Sequence, residues 1–401
     1  MIRQVQISDL WNIMRLYQVN GSTMMPDELF TDYERLKEAF LNPSSYWLLS
    51  ESDDKIVCLF ALLIDADLGL SKLSRIMIDP NIADITEFVS YSLKSLLDHI
   101  REEFPTLELV YTTTFTLPMA FQKMTLKHSF KVLGVFPNAQ GVDEYNLNGM
   151  SVAYLKESGL QQRDQNLRIH PTTQPFFDLA KKNVCLPDLP AIENPKIEKH
   201  LSPIFCELPI MEAIYAPEFV KRRFELLKAN RSQIVNFYPF YWPNCVVTDP
   251  TGKVEIFLRV IEKTRFAAII GEHIRIPVDP VQMFHSVFTI LRRRNINYVE
   301  LINDAGDVEG SDAIIRSGFT PCGYIPAFKK QGERRRDYVI YGKAFEFFCR
   351  LDLDIIPKEY LEFYKQYLKQ EQRNYFKGLN FELNWVNPTS TNEADQYKNE
   401  T

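Results

Sequence analysis

The chain has 401 residues, of which 46 are Lys or Arg and 52 are Asp or Glu, for a formal net charge of −6. A hydrophobic fraction of 45% beside 24% charged residues supports real cores and excludes disorder for most of the length. The acidic balance excludes a general nucleic-acid binder, and only 15 residues are glycine, about half the usual share of roughly 7%.

In chain order, Ser8 or Asp9 caps a helix from Leu10 to about Val19, with Leu10, Ile13, Met14 and Tyr17 on one face and Asn20-Gly21-Ser22 as its close. Tyr33–Phe40 reads as a second short helix, ended by Asn42-Pro43. Strand runs follow at Tyr46–Ser50, Ile56–Ile64 and Leu73–Ile78, the last stopping at Asp79-Pro80. Glu87–Arg101 has helical periodicity, Leu107–Thr113 reads as a strand, Met119–His128 as a helix and Lys131–Phe136 as a strand. An antiparallel hairpin followed by alternating strands and helices predicts a mixed α/β sheet. Prolines at 171, 175, 187, 190, 195 and 203 mark residues 151–203 as a linker with a short helix between Pro175 and Asn183. A second strand-rich block occupies 204–349. A long amphipathic helix starts at Pro357 and ends near Lys377-Gly378, within a 350–387 extension, and the polar tail 388–401 is expected to be disordered.

The opening Met1–Asp9 lacks the apolar core of a signal peptide, and no stretch reaches the roughly 18 consecutive apolar residues that span a bilayer. Six scattered cysteines, with no CxxC pair, read as small apolar residues in a reducing compartment. The expectation is a cytoplasmic protein with no metal and no membrane or nucleic-acid partner.

Two self-matches point to a duplication. Arg75-Ile76-Met77-Ile78-Asp79-Pro80 recurs as Arg275-Ile276-Pro277-Val278-Asp279-Pro280, and each copy leads into an apolar helix and then a strand. Phe130–Pro137 aligns with Phe319–Pro326, bringing Gly134 onto Gly323. Two domains are expected, over residues 1–150 and 204–349, a period too long for a solenoid.

On these residues the first copy resembles the GNAT-type N-acyltransferases: Ile2-Arg3 through Asp9-Leu10 and Ile13 is similar to their first strand and helix, and Ser129–Ala139 to their closing signature. Ser317-Gly318-Phe319 repeats that signature in the second copy. The resemblance implies two tandem domains, acetyl- or another acyl-coenzyme A as co-substrate, and an amine of a small molecule or peptide as acceptor. It implies pantetheine contacts at Ile76, Met77 and Ile78, and a pyrophosphate lining of Asn81, Ile82, Ala83, Asp84, Ile85 and Thr86. In the second copy the equivalents are Ile276, Val278 and Val281–Ser286. Tyr111 falls where the fifth strand flanks the acyl group, and Thr125 falls on the family's tyrosine position; both are the candidate catalytic residues.

Neither phosphate loop contains glycine, which leaves open a catalytically inactive tandem module that binds a small molecule or a partner protein. A transferase using an aminoacyl-transfer RNA is a third reading, set against the net charge of −6. Gln122, His128, Glu272-His273, Asp304 and Asp307 read first as capping, strand-end and turn residues. The clusters Arg292–Arg294 and Lys329-Lys330 with Arg334–Arg336 read as a helix C-terminus and a solvated loop. The aromatic run Phe237–Trp242 fits a cleft wall or a packing surface between domains equally well.

Overall fold

The computed structural model describes residues 2–20, 28–52, 55–82, 85–115, 125–137, 147–164, 166–187, 191–195, 210–229, 235–236, 238–345 and 356–378. The first half contains β1 (Ile2–Gln4), α1 (Leu10–Asn20), α2 (Tyr33–Leu41), β2 (Ser45–Ser52), β3 (Lys55–Asp65), β4 (Leu70–Ile78), α3 (Ile85–Glu103), β5 (Leu109–Phe115), β6 (Lys131–Pro137) and β7 (Leu147–Tyr154). A connecting region holds α4 (Glu157–Gln161), β8 (Arg168–Ile169), α5 (Gln174–Val184) and β9 (Ala191–Ile192). The second half contains β10 (Glu212–Ile214), α6 (Pro217–Ala229), β11 (Val235–Asn236), β12 (Cys245–Thr248), β13 (Val254–Ile261), β14 (Phe266–Ile274), α7 (Pro280–Arg293), β15 (Tyr298–Asp304), α8 (Val308–Arg316), β16 (Thr320–Gln331) and β17 (Arg334–Ala344), and α9 (Lys358–Gly378) follows.

All of these strands except β8 and β9, which pair with each other, form one large mixed sheet, ordered β1-β2-β3-β4-β5-β7-β6-β16-β17-β15-β14-β13-β12-β10, with β11 paired to β14 off this path. Read outward from the β6/β16 junction, the two sides pass through matching steps. In each, a hairpin (β6-β7, β16-β17) leads to a strand (β5, β15) whose outer neighbour (β4, β14) runs parallel to it. The junction is a single pair, Gly134↔Gly323. A Cβ on Gly134 would stand 2.9 Å from the Gly323 Cα, and one on Gly323 would stand 2.7 Å from the Gly134 Cα. Neither position has room for a side chain, which is the physical content of the second self-match.

The sequence patterns account for the elements. Strand β3 is buried from Val57 to Leu62, so both faces read apolar. Helix α1 buries Leu10, Ile13, Leu16 and Tyr17 along one stripe, and Asp32 caps α2 by accepting from the Arg35 N–H. Helix α9 buries Tyr360, Phe363, Tyr364 and Tyr367 against β6 and β16, with the Tyr360 ring pressed onto Gly149 of β7. It shares that surface with α5, whose Phe176, Phe177 and Ala180 are buried.

The fold departs from the sequence expectations at several points. Strand β7 runs to Tyr154, past residue 150, and carries no clear sequence signal of its own. The helix between Pro175 and Asn183 packs under the junction instead of merely joining two domains. The first self-match is out of register: Arg75–Ile78 lie in β4, but β14 ends at Ile274, so Arg275–Asp279 form the connection to α7. The second basic cluster is not a solvated loop. It forms the β16–β17 hairpin, where Arg335 is fully buried, donates to the Ala327 and Phe328 carbonyls and pairs with Glu108 of the first half at 3.3 Å. Arg336 bridges Asp304 and Asp164, and Arg163 forks onto Asp337. Arg292–Arg294 do lie exposed in and just past the last turn of α7. Residues 119–124 of the expected helix Met119–His128, and the tail 388–401, lie outside the described residues.

Candidate active site

Strands β4 and β5 pair in parallel from Leu70↔Leu109 to Leu73↔Thr112, and there they part. A bulge drives the parting: the β3–β4 register passes from Leu62↔Leu73 to Ala61↔Arg75, leaving Ser74 as the extra residue, and its hydroxyl ties back to the Ala61 carbonyl at 2.9 Å. Strand β5 instead follows β7 to Phe115↔Asn148. At the fork the Thr112 hydroxyl donates to the Leu73 carbonyl at 3.1 Å. Beyond it lies a wedge. The Asp79 N–H donates to the Val57 carbonyl, and in an antiparallel ladder successive residues turn their backbone groups to alternate sides. The Met77 N–H and C=O therefore face β3, and those of Ile76 and Ile78 face the wedge. Among the described residues, no strand takes the place of β5 beside Ile76 and Ile78.

The sequence-derived donor residues divide accordingly. Ile76 and Ile78 pack on the α3 side of the sheet, while the Met77 side chain is buried on the other side with Trp47, Leu59 and Ala61. Asn81 is exposed, and its N–H and side-chain amide both donate to Asp79. Ile82 is partly buried, and Ile85 and Thr86 open α3. Ala83 and Asp84 lie outside the described residues.

The second half builds the same fork. Strands β14 and β15 pair from Phe266↔Tyr298 to Ala268↔Glu300, and β14 carries an extra residue, Ile270, opposite β13. The bond from the Arg275 N–H to the Lys253 carbonyl again sets the alternation and turns Glu272 and Ile274 toward the wedge. This wedge is filled by its own chain. β11 lies along β14 with Val235↔Glu272 and Asn236↔Gly271, and the Tyr238 N–H donates to the Ile270 carbonyl at 3.5 Å. Burial, with the Asp307 charge nearby, pushes the Glu272 carboxyl up to about 7. His273 is buried 3.9 Å from Glu255, which Arg223 holds in a two-pronged pair. Asp307 caps α8, and Asp304 accepts from Arg336, so both turn acids have structural partners.

Between the halves is a cavity of about 20 Å³, room for roughly one water. Lys72, Tyr111 and Thr113 line it from the first half, and Tyr238, Tyr241 and Glu300 from the second. The Lys72 ammonium donates to the Tyr241 hydroxyl at 3.1 Å and lies 5.6 Å from the centre of the Tyr111 ring. Burial pushes the Glu300 carboxyl up to about 7 against the opposing pull of the Tyr238 hydroxyl and Lys72. The Tyr111 phenol is raised well above its ordinary range, chiefly by burial. Thr125 is buried elsewhere: its carbonyl accepts from the His128 and Phe130 N–H groups, and the Phe130 ring belongs to the α3-side core. The two candidate catalytic residues therefore serve different faces of the sheet. His128 bonds Ser90 at 2.6 Å. Of the aromatic run, Tyr238 and Tyr241 wall the cavity and Phe240 approaches Tyr111 with ring centres 6.2 Å apart, while Phe237 lies outside the described residues. No motif marks Lys72 or Glu300 in the sequence. Their one signal is a lone charge inside an apolar strand, Leu70–Leu73 and Tyr298–Ile302.

Among the described residues no group of three or more His, Cys, Asp and Glu side chains is placed to hold a metal ion, and no helix is long and apolar enough to cross a membrane. No family model and no curated protein matches the chain. Among solved structures it is similar to a spermidine N-acetyltransferase from Vibrio cholerae, with 14% identity over 39% of this chain and 95% of that one at a TM-score of 0.34. It is likewise similar to a putative phosphinothricin N-acetyltransferase (18% identity, 39% and 99% covered, TM-score 0.34). A third likeness is to the ribosomal-protein-alanine N-acetyltransferase of Brucella melitensis (15% identity, 38% and 99% covered, TM-score 0.34).

Proposed function

We propose that the first half is an acyl-coenzyme A-dependent N-acyltransferase site, and that the second half is a copy of the same domain whose donor wedge its own chain has closed. One observation carries this reading: beyond Leu73 and Thr112 the parallel strands part, and the backbone groups of Ile76 and Ile78 face the gap. A pantetheine arm carries amides, and amides pair with an open strand edge as another strand would. Coenzyme A supplies the activated thioester. The Ile76 N–H is aimed to hold its carbonyl oxygen as negative charge develops. Asn81, Ile82, Ala83, Asp84, Ile85 and Thr86 lead into the N-terminus of α3, whose free N–H groups suit a pyrophosphate. Tyr111 closes the acyl side of the fork from the buried face, where its phenol stays protonated. The acceptor is an amine of a small molecule or peptide, and the rate gain comes from positioning and oxyanion stabilisation.

Calorimetric titration of the full chain with acetyl-coenzyme A and with longer acyl-coenzyme A tests the reading. One donor bound per chain is expected, and no binding of either at millimolar concentration overturns it.

A further inference from the structure

We infer that Glu300, contributed by the second half, is the proton acceptor for the amine that attacks a thioester held in the first half. This rests on the donor assignment above. The cavity lies at the level of the fork: Lys72 and Tyr111 form the pair just before the last one joining β4 and β5, and Thr113 is the first residue of β5 beyond it. Glu300 reaches the same cavity from the opposite wall and is 4% exposed. The cavity leaves room for roughly one water among Glu300, Tyr111 and Thr113. The ladders also relate the two residues. Lys72, the partner of Tyr111, stands two residues before the bulge at Ser74, and Ala268, the partner of Glu300, stands two before the extra residue Ile270. Equivalent positions of the two halves thus meet across one cavity, one as a tyrosine and the other as a carboxylate. The other carboxyl poised near neutrality, Glu272, lies in the wedge that β11 fills.

The step balances. The amine lone pair forms the C–N bond, its proton passes through the water to a Glu300 oxygen, and the C–S bond breaks with the electron pair leaving on the thiolate. Solvent protonates the thiolate and recovers the proton from Glu300. The groups that face Glu300 are Lys72 on β4, Tyr111 on β5, Tyr238 and Tyr241 before β12, Tyr298 on β15 and Cys322 on β16. Burial dominates and puts its titration at about 7, so it is available as a base at and above neutrality.

The test follows thiol release from acetyl-coenzyme A by the full chain across neutral pH, with methoxyamine, which is unprotonated throughout that range, or water as acceptor, and with donor affinity measured in parallel. Release is expected to rise with pH and level off above about 7. Glu300→Gln should lose about 100-fold of the release together with its pH dependence, at unchanged donor affinity. Tyr238→Phe removes a hydroxyl that holds the Glu300 pKa down, so the midpoint should move to higher pH; this keeps the inference testable if Glu300→Gln does not fold. Donor binding with no thiol release, a pH-independent release, or a Glu300→Gln variant with the wild-type profile would each overturn the role of Glu300 alone. Failure to bind acetyl-coenzyme A would overturn the donor assignment and this inference together.

Discussion

Beyond Leu73 the first wedge leaves Ile76 and Ile78 facing a gap, whereas beyond Ala268 the second has Val235 paired to Glu272 and the Tyr238 N–H on the Ile270 carbonyl. Both wedges follow from the same device, one extra residue in the outer of two parallel strands. What separates them is how the exposed edge is satisfied. An open strand edge is a row of unmet donors and acceptors, and a fold must pair it, cover it or use it. The second half pairs its edge with Val235, Asn236 and the Tyr238 N–H. Among the described residues no strand pairs with the edge of the first. A single architecture thus yields a closed scaffold and an open site, and their shared cavity lies where the closed half can lend side chains to the open one.

The largest expected effect concerns the scaffold half. Asp337 is 1% exposed and receives the Arg163 fork, the Tyr324 hydroxyl at 2.7 Å and the Ala327 N–H at 2.9 Å. Asp337→Ala leaves Arg163 buried without its partner and should cost about 3–5 kcal/mol in urea unfolding. A loss below about 1 kcal/mol would mean that the long β16–β17 hairpin is not what anchors this half. The next effect contrasts the wedges directly. Ile76→Pro deletes a wedge-facing N–H without touching the β3 ladder, and its ring enters the gap, so donor affinity should fall at least about tenfold. Glu272→Pro, at the matching position, should leave donor affinity at the wild-type value and lower only stability. Calorimetry with acetyl-coenzyme A decides, and the reverse result would exchange the roles of the two halves.

Much of this comparison could be read in the residues, and the failures have physical causes. Glycine at 134 and 323 is demanded by backbone contact across the junction, so that self-match is in true register. The Asp-Pro match is not, because the same dipeptide does two jobs. Asp79-Pro80 stops a strand, with Asp79 accepting from the Asn81 N–H. Asp279 instead caps α7, accepting from the Val281 N–H, and Pro280 takes the first helical turn. Aligning the two places the second strand four residues too late. Strand β11 has only two residues and hence no periodicity to detect, so the closure of the second wedge was invisible. Strand pattern alone does not say which side the N–H of Met77 faces; the Asp79–Val57 bond turns it toward β3.

The junction offers a smaller perturbation that touches both halves equally. Gly323→Ala places a methyl 2.7 Å from the Gly134 Cα and 2.8 Å from the Leu133 carbonyl oxygen, with backbone that cannot turn away. Overpacking of this kind should cost about 1–3 kcal/mol, read as a lower urea midpoint. Gly134→Ala should cost a similar amount, and a variant in which only one of the two is harmed would show that the sheet is not continuous at this pair.

The smallest effect is a pH dependence that only the filled wedge should show. The Glu272 carboxyl titrates at about 7 in the folded chain, against its ordinary 4.5. The folded state therefore holds this proton more tightly than the unfolded state does. The resulting stability is fully present below about 4.5, declines as pH rises toward 7 and is gone above it. Because Glu272 is partly exposed, its share is about 1 kcal/mol. Glu300 contributes a decline of the same sign, so the wild type carries both. Glu272→Gln should flatten the fall in urea stability between about pH 5 and pH 8 by that share and leave the Glu300 part in place. Ile76, at the matching position of the open wedge, has nothing to titrate, so Ile76→Val should leave the slope unchanged. If Glu272→Gln retains the full wild-type slope, burial does not raise this carboxyl in the folded chain.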